Sequence, residues 1–238
     1  MIDPRWYAAF AALLLSLASA VEATTRTNAA FRRPDGQPLK IVVLPPDVTV
    51  GSIGIGGVEE PNADWTAAAR NKLASQIEAQ QRANGNLVIF LPEQDGERAK
   101  LVADYQALFR TVAAAAADHE QGGAATLPTK RDRFDWTLGP GAARLAEVGG
   151  GDFALFVMTH DAFGTGGRKA FRLLTGGLAG ALVQGSGVHH SYAALVELKT
   201  GDLVWFNVDP GSGGDPRTET GAGKRMGQLF GGFPWASR

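Results

Sequence analysis

Apolar runs in this chain are short, and each is stopped by proline, glycine or a polar cluster. Lys40-Ile-Val-Val-Leu44, closed by Pro45-Pro46, reads as a buried strand ending in a turn. Val48 to Val58 alternates Val and Ile with glycine and reads either as a second extended segment or as a loop. Asn62 or Asp64 caps a helix running to about Arg82, because Trp65, Ala69, Leu73 and Ile77 recur every four residues or so and form one apolar stripe. Asn84-Gly85 ends it, since glycine tolerates the left-handed conformation needed there. Leu87-Val-Ile-Phe-Leu91 is the next strand, stopped by Pro92. Strand, helix, strand in this order implies a right-handed parallel unit.

Glu97 to Asp118 carries Leu101, Val102, Tyr105, Leu108, Phe109 and Val112 on one helical face, and an alanine run of high helix propensity follows. Pro140 to Val148 is a short helix with Pro140 in its first turn. Asp152 to His160 is apolar at nearly every position, the mark of a strand buried on both faces. His189–Leu198 and Leu203–Val208 are two further strands, joined by the turn Lys199-Thr200-Gly201-Asp202. Asp215 caps a last helix, with Pro216 at its first position, that runs to Phe230. The order β-α-β-α-α-β-β-β-α predicts an α/β fold. It is a single-domain mixed sheet of about five strands, parallel in its first part, with helices packed on it.

Ahead of the first strand, Met1 to Arg5 is short and weakly basic. Trp6 to Ala20 is an apolar run ending in Ala18-Ser19-Ala20, with Val21-Glu22-Ala23 directly after it. This is the layout of a secretory leader cleaved after Ala20 or Ala23. The other reading is an uncleaved anchor, for which the run falls short of the roughly 20 apolar residues a spanning helix needs. The expected plan is a signal peptide over 1–23, a polar linker over 24–39 and one α/β domain over 40–234, with a tail over 235–238. The expected compartment is the bacterial periplasm, with the product freely soluble there.

Composition narrows function by exclusion. A chain of 238 residues with net charge −1 lacks the clustered basic excess that nucleic acid requires, so no nucleic-acid partner is expected. Zero cysteine excludes disulfides, thiolate metal sites, a cysteine nucleophile and iron–sulfur clusters. No cofactor is expected. An exported chain without disulfides is stable through its core alone, which this length permits.

The hairpin Ala194-Leu-Val-Glu-Leu-Lys-Thr-Gly-Asp-Leu-Val-Trp-Phe-Asn207 carries an acidic residue, two spacers, Thr-Gly-acidic, two apolar residues and Trp. This is similar to a pattern in bacterial envelope proteins: periplasmic lipoproteins resembling the curli-secretion lipoprotein, the penicillin-binding-protein activator LpoB and the TolB amino-terminal domain. Ile41-Val-Val-Leu-Pro45 looks like that family's first strand and Asp152-Phe-Ala-Leu-Phe-Val157 like its middle strand. Asp215-Pro-Arg-Thr-Glu219, leading to Leu229-Phe230 and Pro234, looks like its closing helix. The likeness covers most of residues 40–234. Such proteins usually carry a lipidated cysteine, and this chain has none, so tethering by lipid does not carry over. No catalytic residue carries over either, because the relatives are adaptor, activator or secretion components. The resemblance implies a fold and a habit of binding other envelope proteins or glycan.

Several side chains are candidates for chemistry. His160-Asp161 ends the third predicted strand, where ligands of α/β sheets gather. His189 and His190 begin the next strand, and with Asp152 or Asp161 they read as a metal or acid–base cluster. Adjacent strand residues point to opposite faces, however, which favours half-exposed strand-end roles instead. Gly164-Thr165-Gly166-Gly167-Arg168-Lys169 resembles a phosphate-cradling loop but fails the Walker spacing, which leaves a loop with solvated charges. Phe171 to Gly187 is apolar yet glycine-rich. It reads either as a flap that meets a partner or membrane, or as an insertion folded over the core. Trp65, Trp136, Trp205 and Trp235 read as packing residues, whereas an exposed Trp136 beside Arg131 and Arg133 would offer a platform for glycan or a partner.

The expected function is a non-enzymatic binding or assembly component for another envelope protein or glycan. Its contacts would run through Arg168, Lys169 and Phe171, through Arg131, Arg133 and Trp136, and through His160 and Asp161. Membrane contact is open through 171–187 or an uncleaved leader. The alternative is a hydrolase or metal-dependent enzyme built on His160, Asp161 and His189, which requires those three side chains to converge.

Overall fold

A computed structural model describes residues 24–33, 37–83, 85–122, 127–131, 133–168, 170, 187–211 and 213–234. The leader, Lys169, Phe171 and nearly all of the segment 171–187 lie outside the described residues. Pro45-Pro46 interrupts what is otherwise one long strand. β2 (Lys40–Val43) pairs in parallel with the start of β6 (Phe153–Gly164), and β3 (Asp47–Ile53) pairs in parallel with the rest of it. The prolines sit in the gap because neither has an N–H to donate to the ladder.

The sheet is open, mixed and eight-stranded. Its order is β1 (Thr24–Thr27), β8 (Leu203–Asp209), β7 (Val188–Glu197), β6, β2, β5 (Leu87–Phe90), with β3 on β6 and β4 (Glu59–Pro61) on β3. The α/β class is as expected, and the strand count exceeds the expected five or so. Thr24–Thr27, within the stretch read as linker, pairs antiparallel with Trp205–Val208. Both β1 and β4 lack an apolar pattern, because each takes its order from a neighbour's backbone rather than from burial. β6 runs four residues past His160, to Gly164.

The α-helices that flank the sheet include α1 (Ala63–Ala83), α2 (Gly96–Glu120), α3 (Arg144–Gly149) and α4 (Glu219–Leu229). Asn62 caps α1 by accepting from the Trp65 N–H at 2.9 Å. α4 is capped by Thr218, which accepts from the Gly221 N–H at 3.1 Å. Asp215, the expected cap, spends its carboxylate on Arg217 instead, at 2.7 and 2.9 Å. β2, α1 and β5 form the expected parallel unit.

The core divides by face. Ala69, Leu73 and Ile77 of α1 and Ala222, Met226 and Leu229 of α4 pack with Ile41, Leu155, Leu195 and Trp205. Phe109, Ala113 and Ala116 of α2 and Leu145 of α3 pack the opposite face with Val42, Phe156, Val196 and Phe206. Each such large side chain, once buried, contributes about 1.5–3 kcal/mol of transfer free energy.

The β7–β8 turn explains its own motif. The Thr200 hydroxyl donates to Glu197 at 2.9 Å and accepts from the Asp202 N–H at 3.2 Å. Gly201 adopts φ 81°, and its carbonyl accepts from the Leu138 N–H at 2.8 Å. A Cβ there would lie 2.0 Å from the Gly139 carbonyl oxygen, so glycine is required twice over. No described helix is long and apolar enough to cross a membrane.

Candidate functional site

β6 and β7 run antiparallel with Asp161 opposite His189 and His160 opposite His190. Successive residues face opposite sides of the sheet, so the four side chains separate into two pairs. The cluster of His160, Asp161 and His189 that the enzyme alternative requires is therefore not assembled: His160 faces the α2 side, and the other two face the α4 side. Among the described residues no three His, Asp or Glu side chains gather as a metal site.

On the α4 face, Asp161 is the centre of a buried network. Arg225 of α4 grips both its oxygens. Nη2 donates to Oδ1 at 2.9 Å, and Nη1 donates to Oδ2 and, at 2.7 Å, to the Thr159 hydroxyl. Arg225 Nη2 also donates to the Gly214 carbonyl at 2.7 Å. Ser191 donates to Thr159 at 2.9 Å, and Thr159 donates to Asp161 at 3.0 Å. The side chains of Arg225 and Asp161 are 1% and 0% exposed. His189, 28% exposed, donates from Nδ1 to Asp161 Oδ1 at 2.7 Å. Burial alone would push the Asp161 carboxyl up. The hydrogen bonds from His189 and Arg225, with their charges, outweigh it and hold the group below the usual carboxylate range.

Half-buried aromatics cover this network. The Phe163 ring meets His189 edge-on at 5.0 Å and Trp65 at 6.5 Å. The Arg217 guanidinium, held by Asp215, lies 4.1 Å from the Phe163 centroid and 4.4 Å from that of Trp65. On the α2 face, His160 and His190 stack with centroids 5.1 Å apart, and His160 Nε2 bonds Glu59 at 2.7 Å. Burial, and then the neighbouring His160, lower the His190 pKa below its ordinary value.

No protein-family model and no curated protein matches the chain. Solved structures do match at low similarity. A PelC dodecamer from Paraburkholderia phytofirmans shares 13% identity at a TM-score of 0.32, covering 87% of this chain and 95% of that one. A lipoprotein from Neisseria meningitidis shares 16% identity at a TM-score of 0.30, covering 72% of this chain and 78% of that one.

The remaining predicted contacts sort by exposure. Trp136 is 8% exposed and packs in the α2-side core, with Lys130 Nζ 4.7 Å from its ring, so it offers no platform. Arg131 and Arg133 are exposed, and Arg133 lies 3.7 Å from Asp135. Arg168 is half-buried, and its Nη1 donates to the Gly54 carbonyl at 3.0 Å. That bond ties the start of the glycine-rich segment to the β3–β4 turn. Two large hydrophobics stand out on this turn, Ile55 at 57% exposed and Val58 at 70%. Sequence reasoning missed Arg225, although its spacing gives it away. Ala222, Arg225, Met226 and Leu229 fall at i, i+3, i+4 and i+7, which places an arginine on the buried stripe of α4.

Proposed function

We propose that the chain is a non-enzymatic binding component of the bacterial envelope that recognises another envelope protein through the β3–β4 turn. The observation that carries this reading is the pair Ile55 and Val58, exposed together on one turn that Arg168 ties to the predicted contact segment. Clustered apolar side chains on a surface mark an interaction site, because leaving them wet forgoes transfer free energy that a partner recovers. The secretory leader and the likeness of the Glu197–Trp205 hairpin to envelope lipoproteins support the compartment. The polar groups around Asp161 support a scaffold role, since the carboxylate of Asp161 and the hydroxyls of Thr159 and Ser191 are engaged within the network.

The test is a double variant, Ile55→Asp with Val58→Asp. Exposed positions of this kind change stability by about 0.5 kcal/mol or less. Cross-linking in envelope extract followed by capture of the chain is expected to recover a partner with the parent protein and not with the variant. Equal recovery from both would remove the turn as the interface.

A further inference from the structure

The strand order places a crevice away from the histidines. The chain leaves β2 and returns through α1 to β5 on one side, then returns through α2 and α3 to β6 on the other side of β2. α1 and α2 consequently pack on opposite faces. Ligands of open α/β sheets bind outside the carboxyl ends of parallel strands at such a reversal. A cleft of about 660 Å³ lies there, floored by Val43 at the end of β2 and Phe90 at the end of β5. That volume falls in the range of roughly 300–1,000 Å³ typical of small-molecule sites.

The charges around the cleft define what fits it. Asp47 is ion-paired with Arg110, and Glu78 with Arg82. Arg70, on the α1 wall, and Glu93, on the connection from β5 to α2, also line the cleft. Among the described residues neither side chain makes a hydrogen bond or ion pair, with the other or with anything else. Gln106, which also lines the cleft, is fixed by its amide donating to the Pro45 carbonyl at 2.7 Å, which keeps its side-chain oxygen available as an acceptor. The cleft thus presents one open cation, one open anion and an apolar floor.

We propose that this cleft binds a zwitterionic ligand of the amino-acid or short-peptide class. Arg70 takes the carboxylate, Glu93 takes the ammonium, and an apolar side chain lies on Val43 and Phe90. Two opposite charges that line one cleft without pairing are satisfied together by a ligand carrying both signs at its ends. The site is separate from the β3–β4 turn and does not depend on the envelope reading.

The probe is leucylglycine, followed by the shifts of backbone and carboxamide resonances of the purified chain. Its N-acetyl form lacks the ammonium, and its C-terminal amide lacks the carboxylate. Leucylglycine is expected to shift Asn71, Ser75 and Gln106, and each blocked form to bind about tenfold more weakly, as loss of one charged hydrogen bond implies. Arg70→Ala should bring leucylglycine level with its amide, and Glu93→Gln should bring it level with the N-acetyl form. Both positions are exposed, so folding is retained. Equal binding by all three forms, shifts located elsewhere, no shift at millimolar probe, or unchanged affinity in both variants would each overturn the proposal.

Discussion

Arg225→Met is expected to be among the most damaging single changes in this chain. Methionine keeps much of the side-chain volume but leaves the Asp161 carboxylate buried without its bidentate partner. Stripping one member from a buried ion pair costs about 3–5 kcal/mol, because the remaining charge has neither water nor partner. His189 and Thr159 still bond Asp161, which places the expected loss toward 3 kcal/mol rather than 5. Asp161→Leu should cost a similar amount, since it strands a guanidinium that keeps Thr159 and the Gly214 carbonyl as acceptors. The double variant should recover most of the loss, as replacing both members by apolar groups is often neutral. Urea unfolding at pH 7 measures all three. With a slope of about 1–3 kcal/mol per M, the single variants lower the midpoint by roughly 1–3 M. Their melting temperatures should fall by about 6–12 °C, at 2–4 °C per kcal/mol for a chain of this size.

The pH dependence gives a second check on the same pair. Because the Asp161 carboxyl is held below its unfolded value, its contribution is complete above about pH 3.9 and fades as pH falls through the folded value. The gap between parent and Arg225→Met should therefore be widest near pH 7 and narrow toward acid, since the variant's buried carboxyl, without its guanidinium, takes up a proton more readily than the parent's. The reasoning fails if Arg225→Met costs under about 1 kcal/mol, or if the double variant loses the sum of the two singles.

Two further outcomes are expected. Trp136→Phe should be nearly neutral and Trp136→Ala should cost about 3–5 kcal/mol in urea unfolding, because the ring packs in the core while its buried indole N–H finds no acceptor among the described residues; equal losses would return Trp136 to a polar role. His190 is held below the ordinary histidine pKa in the folded state, so the unfolded chain takes up its proton first and stability falls as pH drops below about 6.5. His190→Phe, which removes that proton from among His160, Glu59, Asp161 and His189, should flatten the difference between urea midpoints at pH 8 and pH 5.5; an unchanged difference would place the effect on another of these groups.

What the sequence discloses follows how each element earns its order. β2, β6, β7 and β8 are apolar because they are largely buried between helices, and β5, half-buried at the far edge, still carries an apolar run, so all five are legible. β1, with the sequence Thr24-Thr-Arg-Thr27, and β4, with Glu59-Glu-Pro61, sit at edges and bury little, so no hydrophobic signal marks them. Asp215 satisfies the composition rule for a cap, but Arg217 two residues on competes for its carboxylate, and Thr218 caps α4 instead. The histidines illustrate a rule that sequence does settle: adjacency in a strand separates His189 from His190 and Asp161 from His160. Pairing across strands is the part it cannot supply, and that pairing joins Asp161 to His189 and His160 to His190. The rule that ligands gather at strand ends drew attention to His160-Asp161, whereas the strand order reverses elsewhere. The rule concerns carboxyl ends where the strand order reverses, and that point lies at β2 and β5 rather than at the end of β6.

The two proposed surfaces lie at opposite ends of β3. Asp47 opens the strand at the cleft, and Ile53 closes it just before Ile55 and Val58. Six residue steps at about 3.3 Å separate them by roughly 20 Å. Every residue between is in register with β6, and Thr66 of α1 bonds both the N–H and the carbonyl of Val50 at 3.0 and 3.1 Å. A strand held on both sides in this way is a strut rather than a hinge. Sites farther apart than about 7–10 Å with no shared partner behave additively. Arg70→Ala should therefore leave partner capture intact, and Ile55→Asp should leave dipeptide affinity intact. Loss of both functions from either single change would mean that β3 shifts as a unit against β6, and that the cleft and the turn report one conformational equilibrium rather than two independent sites.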